Sequence, residues 1–350
     1  MNIQAVTEKN KTGGKTSIKT YREALNDALR SEMRRDPTVV LIGEDLAGGA
    51  GGGGIDDAYG GVFGVTKGLV SEFGRERVID TPISESAIIG AAAGAANTGL
   101  RPVAELMFFD FIGVCFDQIF NQAAKFRYMF GGKARTPMVI RATVGAGLSA
   151  GGQHSNMLHP LVVHIPGLKV VMPSNAYDAK GLLISSIRDN DPVIFLEHKT
   201  LYDTKCEVPD ESYTIPLGEA AFTREGSDLT IVAISAMVPR ANAVADKLAK
   251  EGIFIDVIDP RSLSPLDDEA ILESIEVTGR LVVVDEANPR CGMGADIALL
   301  AAERGFDSLR APVRTVTAPH SPVPFAPVLE QLYMPSEERI ERAVRELLEV

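Results

Sequence analysis

Three residues stand where their type and surroundings could do chemistry. Glu85 closes the run Asp80-Thr81-Pro82-Ile83-Ser84-Glu85, at the point where a strand pattern gives way to a helix pattern. There it reads as a first-turn carboxylate favoured by the helix dipole, or as a carboxyl group at a strand end facing a ligand. His154, in Gly152-Gln153-His154-Ser155-Asn156, follows the glycine cluster 145–152. A histidine on a loop at the C-terminal edge of a sheet can be a general acid or base, or a structural hydrogen-bonder. Ser149 lies within Gly147-Leu148-Ser149-Ala150-Gly151, which spells the G-x-S-x-G of a hydrolase nucleophile elbow. Asp285 at a strand end and His320 beyond it offer the order Ser, Asp, His. Against that reading, Gly145-Ala146 separates the strand from the elbow, and more glycine follows where a helix should begin.

Other clusters point less sharply. His154, His159 and His164 are five apart and so do not share a helical face as a zinc pair would. Gly49, Gly51 and Gly54 fit G-x-G-x-x-G by letter, but no helix opens after them, and the glycines between 48 and 64 read as a mobile surface loop. Gly90 and Gly94 sit four apart in an alanine-rich helix, where small residues let another backbone approach, inside the domain or across a subunit interface.

The elements that must position these residues follow from hydrophobic periodicity. Helices are predicted over 21–35, 84–97, 110–129 and 176–187, and strands over 39–42, 77–80, 103–107, 138–144, 168–172 and 193–196. This alternation argues for a parallel sheet with helices on both faces. Residues 1–17 read as a flexible arm, 18–198 as the first domain and 199–216, charged and carrying Pro209 and Pro216, as a linker. Over 217–350 the pattern resumes, with strands over 229–234, 254–258, 281–284 and 313–316, and helices over 240–250, 267–275, 295–302 and 336–348. The expected fold class is α/β, with two doubly wound domains, the second smaller.

Composition excludes several classes of function. The chain has 350 residues, 45% apolar and 23% charged, an ordinary globular balance. Its net charge of -12 disfavours nucleic-acid binding. Cys115, Cys206 and Cys291 are odd in number and lack metal spacing, which fits a reducing, cytoplasmic compartment. The first 20 residues are polar and lysine-rich, unlike a signal peptide, and no stretch of about 18 apolar residues suggests a membrane span.

Longer runs carry a resemblance. Asp80-Thr81-Pro82-Ile83-Ser84-Glu85, Gln153-His154-Ser155, Ile165-Pro166-Gly167-Leu168-Lys169-Val170-Val171 and Asp178-Ala179-Lys180-Gly181-Leu182-Leu183 resemble the β subunit of the thiamine diphosphate-dependent component of 2-oxo acid dehydrogenase complexes. The likeness runs from about Thr20 to the C-terminus. The insert at 43–54, the stretch from Asn121 to Lys133, Asp285-Glu286-Ala287-Asn288-Pro289-Arg290-Cys291 and Thr317-Ala318-Pro319-His320-Ser321-Pro322-Val323-Pro324-Phe325 look closest to the acetoin dehydrogenase branch.

The resemblance implies a transketolase-like fold, with a pyrimidine-binding domain followed by a smaller transketolase-like domain. Glu85 would hydrogen-bond the ring nitrogen of the cofactor's aminopyrimidine, while Ile83, Met107 and Phe111 pack around it. A carboxyl group in an apolar pocket suits that role, because loss of water favours its protonated form. His154 would move protons during substrate addition and acyl transfer. The chain contains no Gly-Asp-Gly, so an α subunit would hold the diphosphate and magnesium, in an assembly of two α and two β subunits serving a lipoyl acyltransferase core. Ser186, Asp189 and Asp191 match a segment that often holds potassium in this family, although Asp191 replaces a common asparagine and a helix-ending Asp-Asn-Asp turn is the other reading. Asn156, His159-Pro160 and His164 depart from the family pattern near the substrate. The implied reaction splits acetoin into acetaldehyde and a two-carbon group that passes through the cofactor to the acyltransferase as acetyl. Pyruvate or a branched-chain 2-oxo acid is the alternative substrate. A Ser149 hydrolase and a purely structural subunit are the alternatives from other classes.

Overall fold

The computed structural model describes residues 15–48 and 60–349. The glycines from Gly49 to Gly54, and residues 1–14 of the expected arm, lie outside the described residues. The chain divides into two units, Lys15–Val144 with Leu161–Leu217, and Gly145–Pro160 with the chain from Gly218.

In the first unit, β1 (Thr16–Thr20) leads into the helix Tyr21–Arg35. Thr20 caps that helix and Glu23 returns the bond to the Thr20 amide, a capping box. Tyr21, Ala24, Leu25, Ala28, Leu29 and Met33 form its buried stripe, the spacing that made the helix legible. There follow β2 (Val39–Glu44), β3 (Val78–Thr81), β4 (Arg101–Phe108), β5 (Val139–Val144), β6 (Lys169–Val171), β7 (Val193–His198) and β8 (Lys205–Pro209). The main sheet runs in the order β6-β7-β5-β4-β2-β3, with every one of these pairs parallel. Every residue of β5 and β7 is buried, as a sheet covered on both faces requires.

Two stretches differ from the periodicity reading. Residues 199–216 are not featureless, because β8 pairs antiparallel with β1 from Thr16↔Pro209 to Thr20↔Lys205. Lys180, fully buried on the helix Ala176–Arg188, supplies a reason. Its ammonium donates to Asp27 at 2.7 Å and to the Pro209 carbonyl at 2.6 Å, and a buried ammonium needs such acceptors. The helix predicted over 110–129 is broken into a 3-10 turn (Phe109–Phe111), an α-helix (Ile112–Asp117), a π-helical segment (Gln118–Ala123) and a final α turn (Phe126–Met129). Gly90 bears on the break, since a Cβ there would lie 3.1 Å from the Gln118 side chain. Gly94 faces open space, so close packing explains only the first of the two glycines.

Charge is buried in the middle of this sheet. The Arg141 guanidinium donates to both carboxylate oxygens of Glu197, at 2.6 and 2.8 Å, and to Glu105 at 2.7 Å. The Tyr202 hydroxyl donates to Glu197 at 2.7 Å. Burial, more than any neighbour, pushes the Glu105 carboxyl up.

In the second unit, β9 (Ala221–Arg224), β10 (Leu229–Ala233), β11 (Ile255–Asp259), the short β12 (Ser262–Ser264), β13 (Leu281–Asp285) and β14 (Arg314–Thr317) succeed one another. Its sheet has the order β14-β13-β10-β11-β9 and is parallel except for β9. β10, β11 and β13 are buried throughout, and the helices Met237–Ala249, Asp268–Thr278, Met293–Arg304 and Glu337–Leu348 alternate with them. Among the described residues no helix is long and apolar enough to cross a membrane.

Removing one member of the buried charge group strands the rest. Arg141→Ala leaves Glu197 and Glu105 without their cation and should destabilise the first unit by about 3–5 kcal/mol. Urea unfolding of wild type and variant measures this, and a cost below about 1 kcal/mol, the range of an exposed pair, contradicts the account.

Candidate active site

The path of the main sheet creates a crevice. The chain lays down β2, moves to one side for β3, then crosses to the other side of β2 for β4. In an open parallel sheet such a reversal leaves space beyond the C-terminal strand ends, where ligands bind. Glu44 ends β2, Met107 and Phe108 end β4, and the residues from Pro82 to Glu85 follow β3.

Glu85 opens the helix Glu85–Asn97, where the dipole favours a negative charge. Its side chain is half-buried, and among the described residues it makes no hydrogen bond or ion pair. Ile83, two residues earlier, is 72% exposed, so an apolar side chain stands open close to it in the chain. Met107 is buried and its carbonyl accepts from the Thr143 hydroxyl at 2.7 Å. Phe111 is half-buried, edge-on to Phe108 with ring centres 6.4 Å apart. Glu44 is pushed up, foremost by burial and then by the like charges of Asp45 and Glu85. The Cys115 thiol is pushed up to about 12, mainly by burial, with Glu85 among the contributing charges. An uncommitted carboxyl group on the sheet edge that also carries Ile83, Met107 and Phe111 would suit a flat heteroaromatic ring with a ring nitrogen to be hydrogen-bonded, such as the pyrimidine half of thiamine diphosphate.

His154 lies in the second unit, on Gly145–Pro160. This segment turns sharply, with φ of 90° at Gly145 and 109° at Gly147, backbone that a Cβ would strain. Its amides are held by buried carboxylates. Ala146 donates to Glu286 at 2.7 Å, while Gly147 and Ser149 donate to the two oxygens of Glu330 at 2.8 and 2.9 Å. Asn156 donates to the Gly152 carbonyl at 2.7 Å, bracketing the half-buried His154.

The structure corrects the hydrolase reading. Ser149 has a left-handed φ of 53°, as an elbow serine does, but no helix follows until His159–Val163. Its hydroxyl lies 3.4 Å from Glu330, and among the described residues no histidine reaches it. Asp285 is engaged by His159 at 3.2 Å, with both side chains buried, whereas His320 is exposed. His159, a departure from the family pattern near the substrate, is therefore an interior residue, and His164 is exposed.

The turn holding Ser186, Asp189 and Asp191 ends the helix Ala176–Arg188 and is braced by basic side chains. Ser186 donates to the Leu182 carbonyl at 2.7 Å. Arg101 donates to the carbonyls of Ile187 and Asp189 at 3.0 and 2.8 Å, and Lys169 to the Asp189 carboxylate at 2.5 Å. Asp191 pairs with Arg127, and its amide donates to Asp189 at 2.9 Å. Among the described residues no group of three or more His, Cys, Asp or Glu side chains is arranged to hold a metal ion.

Three carboxylates escaped the sequence reading. Glu44 had a usable signal, an acid closing an apolar strand, and Glu286 adjoins a strand-end aspartate. Glu330, alone in the short helix Pro327–Tyr333, had none.

Comparison with known proteins adds a third line of observation. Residues 18–205 match the transketolase pyrimidine-binding domain, and residues 218–340 the transketolase C-terminal domain. The acetoin:2,6-dichlorophenolindophenol oxidoreductase subunit beta of Cupriavidus necator is 60% identical over 95% of this chain and 98% of its own length. Its Bacillus subtilis counterpart is 58% identical over 93% and 96%. The pyruvate dehydrogenase E1 component subunit beta of Bacillus subtilis is 44% identical over 94% and 98%. Among solved structures, a split-gene transketolase described as an inactive beta4 tetramer aligns with a TM-score of 0.75 and 25% identity, over 94% of this chain and 98% of that one.

A thiol with a pKa of about 12 is ionised to roughly one part in ten thousand at pH 8, so Cys115 should resist thiol reagents in the folded chain. Ellman's reagent should label exposed Cys291 first, and Cys115→Ser should leave the fast-reacting count unchanged. A lower fast count in that variant contradicts the assignment.

Proposed function

The chain belongs to the transketolase-domain family of thiamine diphosphate-dependent oxidoreductase β subunits, and on that premise we propose that it is the β subunit of an acetoin dehydrogenase. The observation that carries the reading is Glu85, an uncommitted carboxyl group at the switch point of the first sheet, beside exposed Ile83. The choice of acetoin over pyruvate is supported by identities of 58–60% against 44% at similar coverage.

When bound, thiamine diphosphate supplies the electron sink that lets the carbon–carbon bond of acetoin break. Glu85 holds the aminopyrimidine ring nitrogen by a hydrogen bond and so favours the ring form able to take a proton. Ile83, Met107 and Phe111 orient the ring and keep water from it, which strengthens that hydrogen bond. His154 moves protons as acetoin is bound and as the acetyl group leaves. Over the whole reaction, acetoin and a lipoyl disulfide give acetaldehyde and an acetyl thioester; the disulfide is reduced, and its second sulfur takes the proton. A β subunit implies an α partner. We assign the diphosphate and magnesium to that partner, in a tetramer of two α and two β subunits that delivers acetyl to a lipoyl acyltransferase. The same chemistry on pyruvate or a branched-chain 2-oxo acid is the second reading.

Assembly with the α subunit, thiamine diphosphate and magnesium tests the substrate. Turnover of acetoin should exceed that of pyruvate at least tenfold, and a preference for pyruvate defeats the assignment. Glu85→Gln should lower turnover a hundredfold or more, about 3 kcal/mol at the barrier. His154→Ala should lose lipoyl-linked activity more than dye-linked oxidation of acetoin. Normal overall activity in that variant rules out the role given to His154.

A further inference from the structure

The second sheet has a switch point of its own, and the chain occupies it. After β10 come β11 on one side and β13 on the other, so a crevice opens beyond the ends of β10 and β13. Asp285 and Glu286 stand at the end of β13, and Gly145–Pro160 is fastened to them. Glu286 accepts from the Ala146 amide at 2.7 Å, and Asp285 meets the His159 ring at 3.2 Å. Glu330 takes the remaining amides, from Gly147 and Ser149. Ala146 packs with Ala318, Val323, Tyr333 and Met334 in the apolar layer beneath.

Glu330 is only 3% exposed, and among the described residues it has no cationic partner. A carboxylate in that state costs several kcal/mol unless hydrogen bonds replace its water. Here the replacements are amides of left-handed turns, which converge on an anion as a backbone nest does. Each oxygen takes one amide, so Glu330 fixes two points on the loop rather than one. Simple apolar packing would cover this helix without that cost but would leave the amides of Gly147 and Ser149 unpaired.

We propose that Glu330, together with Glu286, is a positioning residue: the pair holds the path of residues 146–149 and so aims His154, five residues beyond Ser149, for proton transfer. The proposal rests on the role given to His154 above. Neither glutamate touches substrate or cofactor in it.

The test uses the assembled α–β enzyme carrying Glu330→Gln, Glu286→Ala (a glutamine there could keep the single Ala146 amide), His154→Ala, or each glutamate change combined with His154→Ala. A glutamine offers one acceptor oxygen, so at position 330 it can keep only one of the two amides. Each glutamate variant should lower kcat of the lipoyl-linked reaction at least tenfold while KM for acetoin stays within twofold. Hydrogen–deuterium exchange should accelerate in peptides covering 145–154 and stay unchanged in β10 and β13. The kcat loss should vanish when His154 is already alanine. Unchanged kcat, unchanged exchange, or losses that multiply in the combined variants overturn the proposal. Should Glu330→Gln fail to fold, Glu286→Ala supplies the same readings. If His154→Ala is impaired while both glutamate variants are normal, only the positioning role falls. If His154→Ala is itself normal, the reading of His154 falls and this proposal with it.

Discussion

A carboxylate taken out of water has to be paired, and the way each buried carboxylate here is paired sorts the molecule into structure and chemistry. In the first sheet Glu197 and Glu105 share the guanidinium of Arg141, with the Tyr202 hydroxyl closing the group. In the second unit Asp285 meets an imidazole, and Glu286 and Glu330 take backbone amides. Each of these acids has a partner within the chain. Glu85 breaks the pattern, being half-buried, next to an exposed isoleucine and uncommitted among the described residues. Its influence is instead felt as like charge, since it helps push Glu44 up and contributes at Cys115. An acid that the fold does not pair is available to a ring nitrogen, which is the reason for proposing the site there rather than at the more heavily charged centre of the sheet.

The strands and helices of the two sheets were legible because their burial follows simple periods. The stripe of the helix Tyr21–Arg35 and the continuous apolar runs of β10 and β13 need no tertiary information. What escaped depends on distant partners. β1 and β8 are strands because they pair with each other and because the ammonium of Lys180 finds acceptors at Asp27 and Pro209, and neither fact is written in local composition. The long helix expected over 110–129 has an unbroken apolar period, yet a side chain pressed against Gly90 accompanies a π-helical segment in its middle. Periodicity reports which face is buried, not how tightly the neighbours press.

The site was legible in a different way. Local physics left Glu85 divided between a helix-dipole residue and a ligand-facing one, and the longer runs around it favour the second through resemblance. The strand order then gives a physical reason independent of resemblance, because the reversal at β2 puts the residues after β3 and the end of β4 on one edge. The G-x-S-x-G reading failed for an equally physical reason. The letters describe a strand–turn–helix elbow, and here the turn is present at Ser149 but the helix is replaced by backbone that turns onto Glu330.

That replacement bears on how the two sheets divide the work. By chain order Gly145–Pro160 should belong to the first sheet, whose strand β5 it follows. By contact it belongs with the second unit, whose carboxylates hold its amides. In most open parallel sheets the crevice at the switch point is kept for a ligand. The second sheet spends its crevice on a piece of the chain itself, the piece that carries His154. A sheet with its own ligand site would have no need to bury three carboxylates against a glycine loop, and a loop free of those carboxylates would have little reason to keep one path through four left-handed residues, at Gly145, Gly147, Ser149 and Gly151. The glycines allow the path and the acids select it. On the role proposed for His154, the second unit would serve the chemistry at one remove, by fixing the path of its own segment Gly145–Pro160.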